Sequence, residues 1–245
     1  MSTQIKTVLI TGGSSGIGYD VARAFLEEQT NVVLNGRNVE KLKAAAERLG
    51  HADRVAVVPG DIGDCKTGEA MVRVAVERFG SVDVLVNNAG TFNLKPFLDV
   101  TKEDLDGYIN GNLKGTYFTT QAVVRQMKKE GGGAIVNIGT VMVNHAMAGA
   151  PASAPLVTKG GVHALTISLA AELARDNIRV NLVAPGVVRT PIYGDADVDT
   201  FGGVALLNRV GEVEEITEAV VHLATAKFTT GIIMPVDGGY LGGRP

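Results

Sequence analysis

One stretch of the sequence combines residue types and spacing suited to phosphate chemistry. Thr11-Gly12-Gly13-Ser14-Ser15-Gly16-Ile17-Gly18 closes a strand-like run and opens a helical one. Gly12, Gly16 and Gly18 let the backbone turn tightly, and Ser14, Ser15 and Ile17 lie between them where the helix begins. A pyrophosphate can approach such a backbone closely, and the open N–H groups of a helix N-terminus favour its charge. A ligand-free glycine turn would look the same in isolation; the flanking strand and helix favour the ligand reading. A second phosphate-competent group is Arg37, in Asn35-Gly36-Arg37, with a planar fork suited to phosphate. The alternative there is a solvated surface arginine. Cys65 is the single cysteine, so no internal disulfide can form, and His51, His145, His163 and His222 are scattered without metal-ligand spacing. No metal is expected.

The elements that must position these groups can be read from periodicity. Short apolar, β-branched runs at 7–10, 31–34, 55–58, 82–86, 134–138, 179–183 and 232–236 alternate with amphipathic stretches at 19–28, 39–49, 67–79, 101–129, 160–175 and 212–224. Near-continuous hydrophobic strands fit a parallel sheet covered on both faces. The alternation predicts an α/β fold with a doubly wound parallel sheet of about seven strands and helices on both faces. Residues 1–245 read as a single domain, with no repeat, low-complexity tract or linker.

Composition narrows the partners. The chain has 245 residues, 45% hydrophobic and 20% charged, with a formal net charge of −3. That is enough for one large core, and disorder is not expected. No basic run marks a nucleic-acid face, and no apolar stretch is long enough to span a bilayer. From Met1 the chain runs directly into a strand-like segment, leaving no room for a signal peptide. The reading is a cytoplasmic protein.

Five further motifs accompany the glycine loop. Asn87-Asn88-Ala89-Gly90 follows the fourth strand, and Asn112 lies in Asn112-Leu-Lys-Gly-Thr-Tyr-Phe. Lys159 sits in Thr158-Lys159-Gly160-Gly161-Val162. Asn181-Leu-Val-Ala-Pro185-Gly186 precedes Thr190-Pro191, and Val236-Asp237-Gly238-Gly239 comes near the end. In this order the chain resembles the short-chain dehydrogenase/reductase family over residues 5–240. The resemblance implies a Rossmann-type fold and a nicotinamide cofactor held by Gly12, Ser14, Ser15, Gly16, Ile17 and Gly18. It also implies Asp61 and Ile62 beside the adenine, and Asn88, Ala89 and Gly90 along the far side. Lys159 would hold the ribose, and Pro185, Gly186 and Thr190 would flank the nicotinamide end. NAD-using members tend to carry Asp at position 36; here Gly36 is followed by Arg37, so NADP is favoured over NAD. A homo-oligomer, commonly a tetramer, is implied as well.

The family's reaction moves a hydride between the cofactor and a carbonyl or alcohol carbon. A Tyr donates the proton, a Lys four residues later tunes it, a Ser binds the oxygen and an Asn supports the relay. Asn112 and Lys159 match, and Thr140 keeps a hydroxyl where Ser is expected. Four residues before Lys159 stands Pro155, which has no acid to offer. Thr140 precedes it by fifteen residues, two more than the family's usual spacing, so the 141–154 loop is expected to differ. Pro155 suits the first turn of a helix, and Ser153 can help cap that end.

Replacement donors are His145 in the loop after the fifth strand and Tyr193 at the base of a short substrate lid at about 190–209. Each also reads as a surface or packing residue. Ser153 and Thr158 offer hydroxyls. Met142, Val143, Met147 and Phe92 are apolar pocket candidates and suggest an uncharged small-molecule substrate. Asp195, Asp197 and Asp199 read as a solvated loop edge. The leading expectation is an NAD(P)(H)-dependent oxidoreductase on a carbonyl or alcohol, lacking the usual Tyr acid. The alternatives are a dinucleotide-binding but catalytically silent sensor or partner subunit, and a non-redox enzyme on the same scaffold.

Overall fold

A computed structural model describes residues 5–243; Met1 to Gln4, where the absence of a signal peptide was read, lie outside them. Seven parallel strands run β1 (Thr7–Ile10), β2 (Asn31–Gly36), β3 (Val55–Pro59), β4 (Val84–Asn87), β5 (Gly133–Ile138), β6 (Ile178–Pro185) and β7 (Ile233–Val236), in the spatial order 3-2-1-4-5-6-7. Strand order reverses direction between β1 and β4. In open sheets of this kind the ligand crevice lies outside the carboxyl ends of the strands at that switch point.

Side chains alternate across each strand, so Val8 and Ile10 face one layer and Leu9 the other. On the first face they meet α1 (Gly16–Glu27), α2 (Val39–Leu49) and α7 (Val213–Thr225) through Phe25, Leu42 and Val220. The second face packs on α3 (Cys65–Phe79), α5 (Gly115–Glu130) and α6 (Ser153–Leu173), through Met71, Val123 and Leu173. Burial on both sides is why the strands read as unbroken apolar runs. The chain folds as the expected single Rossmann-type domain. Among the described residues no helix is long and apolar enough to cross a membrane.

Two helical expectations need correction. The stretch 101–129 is not one regular helix: α4 (Lys102–Tyr108) and α5 are joined by a π-helical turn at Ile109–Lys114, which carries Asn112. The predicted helix at 160–175 begins earlier, at Ser153, and ends in a 3-10 turn at Ala174–Asp176. Ser153 does not cap it, because Ala152 is the N-cap and no side chain bonds the first turn. Pro155 is the third helical residue, as its missing N–H allows.

Candidate active site

The glycine loop is held from behind by the end of β4. The Thr11 hydroxyl accepts from the backbone N–H groups of Asn88 and Ala89, both at 3.0 Å. Asn88 Nδ2 in turn donates to the carbonyls of Thr11 and Gly12, each at 3.0 Å. The Asn88 side chain therefore braces the glycine loop from behind. Gly12 has φ +66°, and a Cβ on it would come within 2.9 Å of Ala89 Cα. Ser15 is the N-cap of α1 with no side-chain hydrogen bond, so the first-turn N–H groups are left open to an anion. Ile17 packs into the core beneath the loop, and Gly16, at φ +54°, faces Thr190 and Pro191.

At the other end of the crevice, Ser14 Oγ lies 3.6 Å from where a Cβ on Gly36 would stand. Arg37 is exposed and forms no salt bridge among the described residues. Asn35, which the sequence reading left without a role, ties the ends of β2 and β3 together by donating to the Val58 and Gly60 carbonyls at 3.0 Å. Asp61 is exposed and accepts from Gly63 N–H, whereas Ile62 is buried against Gly115. Pro185 ends β6, and Gly186 packs so closely that a Cβ there would sit 2.9 Å from Asp237 Cα. An open helix N-terminus and glycines where a Cβ would be obstructed fit the pyrophosphate of a dinucleotide.

Asn112, Thr158 and Lys159 converge where β4 and β5 end. Asn112 is buried and its side chain is fully engaged: Oδ1 accepts from Thr91 N–H at 2.9 Å, and Nδ2 donates to the Thr91 carbonyl and to Thr158 Oγ1. The π-helical turn presents it there; such turns recur at functional sites. Thr158 Oγ1 passes its own proton to the Pro155 carbonyl at 2.8 Å. Lys159 is buried, with Nζ donating to the Ile138 carbonyl at 2.7 Å and lying 3.3 Å from where a Cβ on Gly90 would be. Burial pushes this ammonium down to about 8. Thr140 Oγ1 accepts from Met142 N–H at the mouth of the same crevice. Below them Asn87 bonds Thr120 and Asn137, and Asn137 bonds Thr166, a buried polar ladder that joins β4, β5, α5 and α6.

Neither replacement donor joins this group. His145 is exposed and its ring meets Tyr240 edge-on at 5.5 Å, while its carbonyl accepts from the Tyr240 hydroxyl. The Tyr193 ring lies 6.2 Å from Phe201, and its phenol, raised by burial, is bonded to the Val188 backbone. Residues 190–209 hold two 3-10 segments, Pro191–Tyr193 and Val198–Val204. A cavity of about 310 Å³ beneath them is lined by Val187, Phe201, Leu207, Ile216 and Tyr240. The apolar candidates Phe92, Met142, Val143 and Met147 do not border it.

His163 was legible only as one scattered histidine, yet it is buried one helical turn beyond Lys159. Among the described residues its Nε2 has no hydrogen-bond partner, and it presses on Gly139, where a Cβ would be only 2.5 Å away. Burial, with the nearby Lys159 charge, pushes it down to about 4. The folded-state value is thus below the 6.5 of an exposed histidine, so protonation favours the unfolded chain. Stability should be complete above pH 6.5 and fall as pH drops toward 4, by up to about 3 kcal/mol. Denaturant titrations across that range should show this limb in the wild type and a flatter one in His163→Leu.

The switch-point crevice, the braced glycine loop and the buried lysine define a dinucleotide-binding protein of the doubly wound class. Comparison with known proteins narrows this further. The model of the short chain dehydrogenase family matches residues 6–199. The chain is 36% identical to a 3alpha-hydroxysteroid dehydrogenase of Mediterraneibacter gnavus, over 97% of this chain and 98% of that one. It is also 36% identical to an L-rhamnose 1-dehydrogenase (NAD(P)(+)) of Azotobacter vinelandii, over 96% of each. A short-chain type dehydrogenase/reductase from Mycobacterium marinum superposes with a TM-score of 0.91 at 31% identity, covering 96% of this chain and 95% of that one. The chain belongs to the short-chain dehydrogenase/reductase family, whose members are NAD(P)-dependent oxidoreductases.

Proposed function

We propose that the protein is an NADP(H)-linked oxidoreductase that interconverts a small uncharged carbonyl compound and its alcohol, without the family's tyrosine acid. The observation that carries this reading is Lys159, buried beside Asn112 and Gly90 at the crevice and paired with no carboxylate among the described residues. A buried cation is costly to keep unless function needs it. When bound, the dinucleotide supplies or accepts the hydride. The loop from Gly12 to Gly18 and the open turn of α1 would hold its pyrophosphate. Lys159 would hold the nicotinamide ribose, and Thr190 the carboxamide end. Thr140 can donate a hydrogen bond to a substrate oxygen, since its own oxygen already accepts from Met142.

The preference for NADP rests on Gly36 and Arg37. Gly36 leaves no carboxylate at the end of β2 to bind ribose hydroxyls, and Arg37 is free to pair with a 2′-phosphate. Calorimetry should therefore show NADPH binding more tightly than NADH. Arg37→Ala should weaken NADPH by about 10- to 100-fold, the loss of one charge-assisted contact, and leave NADH nearly unchanged. No binding of either dinucleotide would remove the redox reading altogether.

The relatives named above include dehydrogenases of a hydroxysteroid and of a sugar. One observation favours a second reading. Pro155 removes the ordinary acid, as expected of a subunit that binds the dinucleotide and signals without turnover. Binding without any carbonyl-dependent oxidation of NADPH would select that reading. We also propose that the chain assembles as a homotetramer. Tyr117 and Phe118 on α5 and Val157 and Ile167 on α6 are exposed apolar residues that pairing would cover. A single-chain mass on gel filtration would remove that part.

A further inference from the structure

With no acid at position 155, the proton for the substrate oxygen must come from another group in the crevice. The hydroxyls nearby do not supply it: Thr158 donates to Pro155 and its oxygen already receives Asn112 Nδ2, while Thr140 can hydrogen-bond the substrate oxygen but, as an alcohol, is too weak an acid to release its proton. His145 is turned to the C-terminal segment, and Tyr193 lies under Phe201 against the backbone of the lid base. Lys159 differs from all of these. It stands one helical turn after Pro155, on the same face of α6, so its stem runs past the place a residue-155 side chain would occupy. Its Nζ is fixed by one carbonyl, Ile138, at 2.7 Å.

We propose that Lys159 is the acid–base group of this site, giving its ammonium proton to the substrate oxygen directly or across one water. The inference rests on the redox reading above. In reduction, the carbonyl carbon gains a hydride from the reduced nicotinamide dinucleotide and the C=O π pair moves to oxygen. That oxygen takes a proton from the ammonium, and the lysine is left as a neutral amine. Water then returns the proton. In oxidation the neutral amine takes the hydroxyl proton as the hydride leaves.

The surroundings suit a lysine that must change charge. The end of β5 offers it a backbone carbonyl, the π-helical turn offers Asn112 and the end of β4 offers Gly90, none of them charged. Its own helix offers His163, which burial keeps neutral at pH 7. No carboxylate among the described residues holds the proton on the ammonium. Burial weakens the charged form to about 8, so the amine is protonated at neutral pH yet able to release.

The test reads the amine itself before any turnover. Full-length protein labelled with 13C-lysine would be titrated by NMR, with and without NADP+, and the Lys159 Cε signal assigned by its loss in Lys159→Arg. A midpoint near 8 is expected in the free protein; a midpoint at the ordinary lysine value overturns the proposal, whatever the activity. The rate of carbonyl reduction should fall above the same midpoint. Lys159→Arg keeps the positive charge but cannot release a proton, so it should retain NADPH binding within about tenfold and lose about 100-fold or more in kcat. Wild-type kcat in Lys159→Arg, or the main loss in Tyr193→Phe, would overturn Lys159 as the acid and leave the redox reading standing. Failure of the wild type to bind NADPH would instead remove the redox reading.

Discussion

Replacing Pro155 with tyrosine should raise the rate of carbonyl reduction by about 10²-fold, the lower end of what a positioned acid contributes. The backbone can accept the change. Residue 155 is the third of α6, where an N–H has no intrahelical acceptor, so the proline ring saves nothing that tyrosine would break. The bonds around it use groups that any residue supplies: Leu156 N–H to the Ala152 carbonyl, and Thr158 Oγ1 to the carbonyl of residue 155. A phenol at this position stands four residues before Lys159, on the same helix face. The buried ammonium would favour the phenolate and lower the phenol toward neutrality. Proton transfer then passes from a lysine that must lose its charge to a phenol whose charge the lysine stabilises. The stability cost combines about 0.4–1 kcal/mol of lost chain restraint with about 1–3 kcal/mol for seating a larger ring at a buried position. The check is kcat with NADPH and one fixed carbonyl substrate, alongside NADPH affinity. Unchanged affinity with no gain in rate would mean that the loop between Thr140 and residue 155 seats the substrate oxygen out of the phenol's reach.

The strands were legible because each is buried on both faces, which forces a run of Val, Ile and Leu rather than an alternating pattern. Glycines 12, 16 and 18 were legible because their spacing answers a backbone requirement: a Cβ on Gly12 or Gly18 would be obstructed, and Gly12 and Gly16 have positive φ. Other features had no local signature. A π-helical turn at 109–114 adds one residue to a helix, and over six residues the apolar pattern cannot register that. The placement of Pro155 in a first turn was legible from its missing N–H, but the periodic stretch began only at Gly160, although α6 starts at Ser153; Gly161 makes room for Leu113. His163 carries no sequence signal at all. Its importance comes from lying one turn beyond Lys159 and against Gly139, partners separated by four and by twenty-four residues in the chain. The bracing bonds from Asn88 to the loop carbonyls also had no sequence signature, because a side chain that braces a loop and one that faces a ligand leave the same trace in a motif.

Gly18→Ala should abolish useful dinucleotide binding, weakening it by about 100-fold or more, since a shift of about 1 Å in a positioning element can cost that much. A Cβ on Gly18 would lie 2.5 Å from both the Gly12 carbonyl oxygen and Asn88 Nδ2. Neither neighbour can yield cheaply. One is backbone, and the other is locked by two hydrogen bonds of 3.0 Å to Thr11 and Gly12. Relief must therefore come from α1 moving away from the loop, which carries the open first-turn N–H groups away from the phosphates they would hold. Overpacking of this kind costs about 1–3 kcal/mol, so Tm should fall as well. A lower Tm with weaker binding could reflect general loosening, and Gly107→Ala supplies the comparison. Gly107 lies in α4 with no atom within 4 Å of an added Cβ, so alanine there should be neutral or stabilise by up to about 1 kcal/mol. The decisive pair of measurements is NADPH affinity and Tm for both variants. If Gly18→Ala binds NADPH as the wild type does, the turn at the start of α1 is not where the pyrophosphate sits, and the cofactor end of the site has to be sought elsewhere along the crevice.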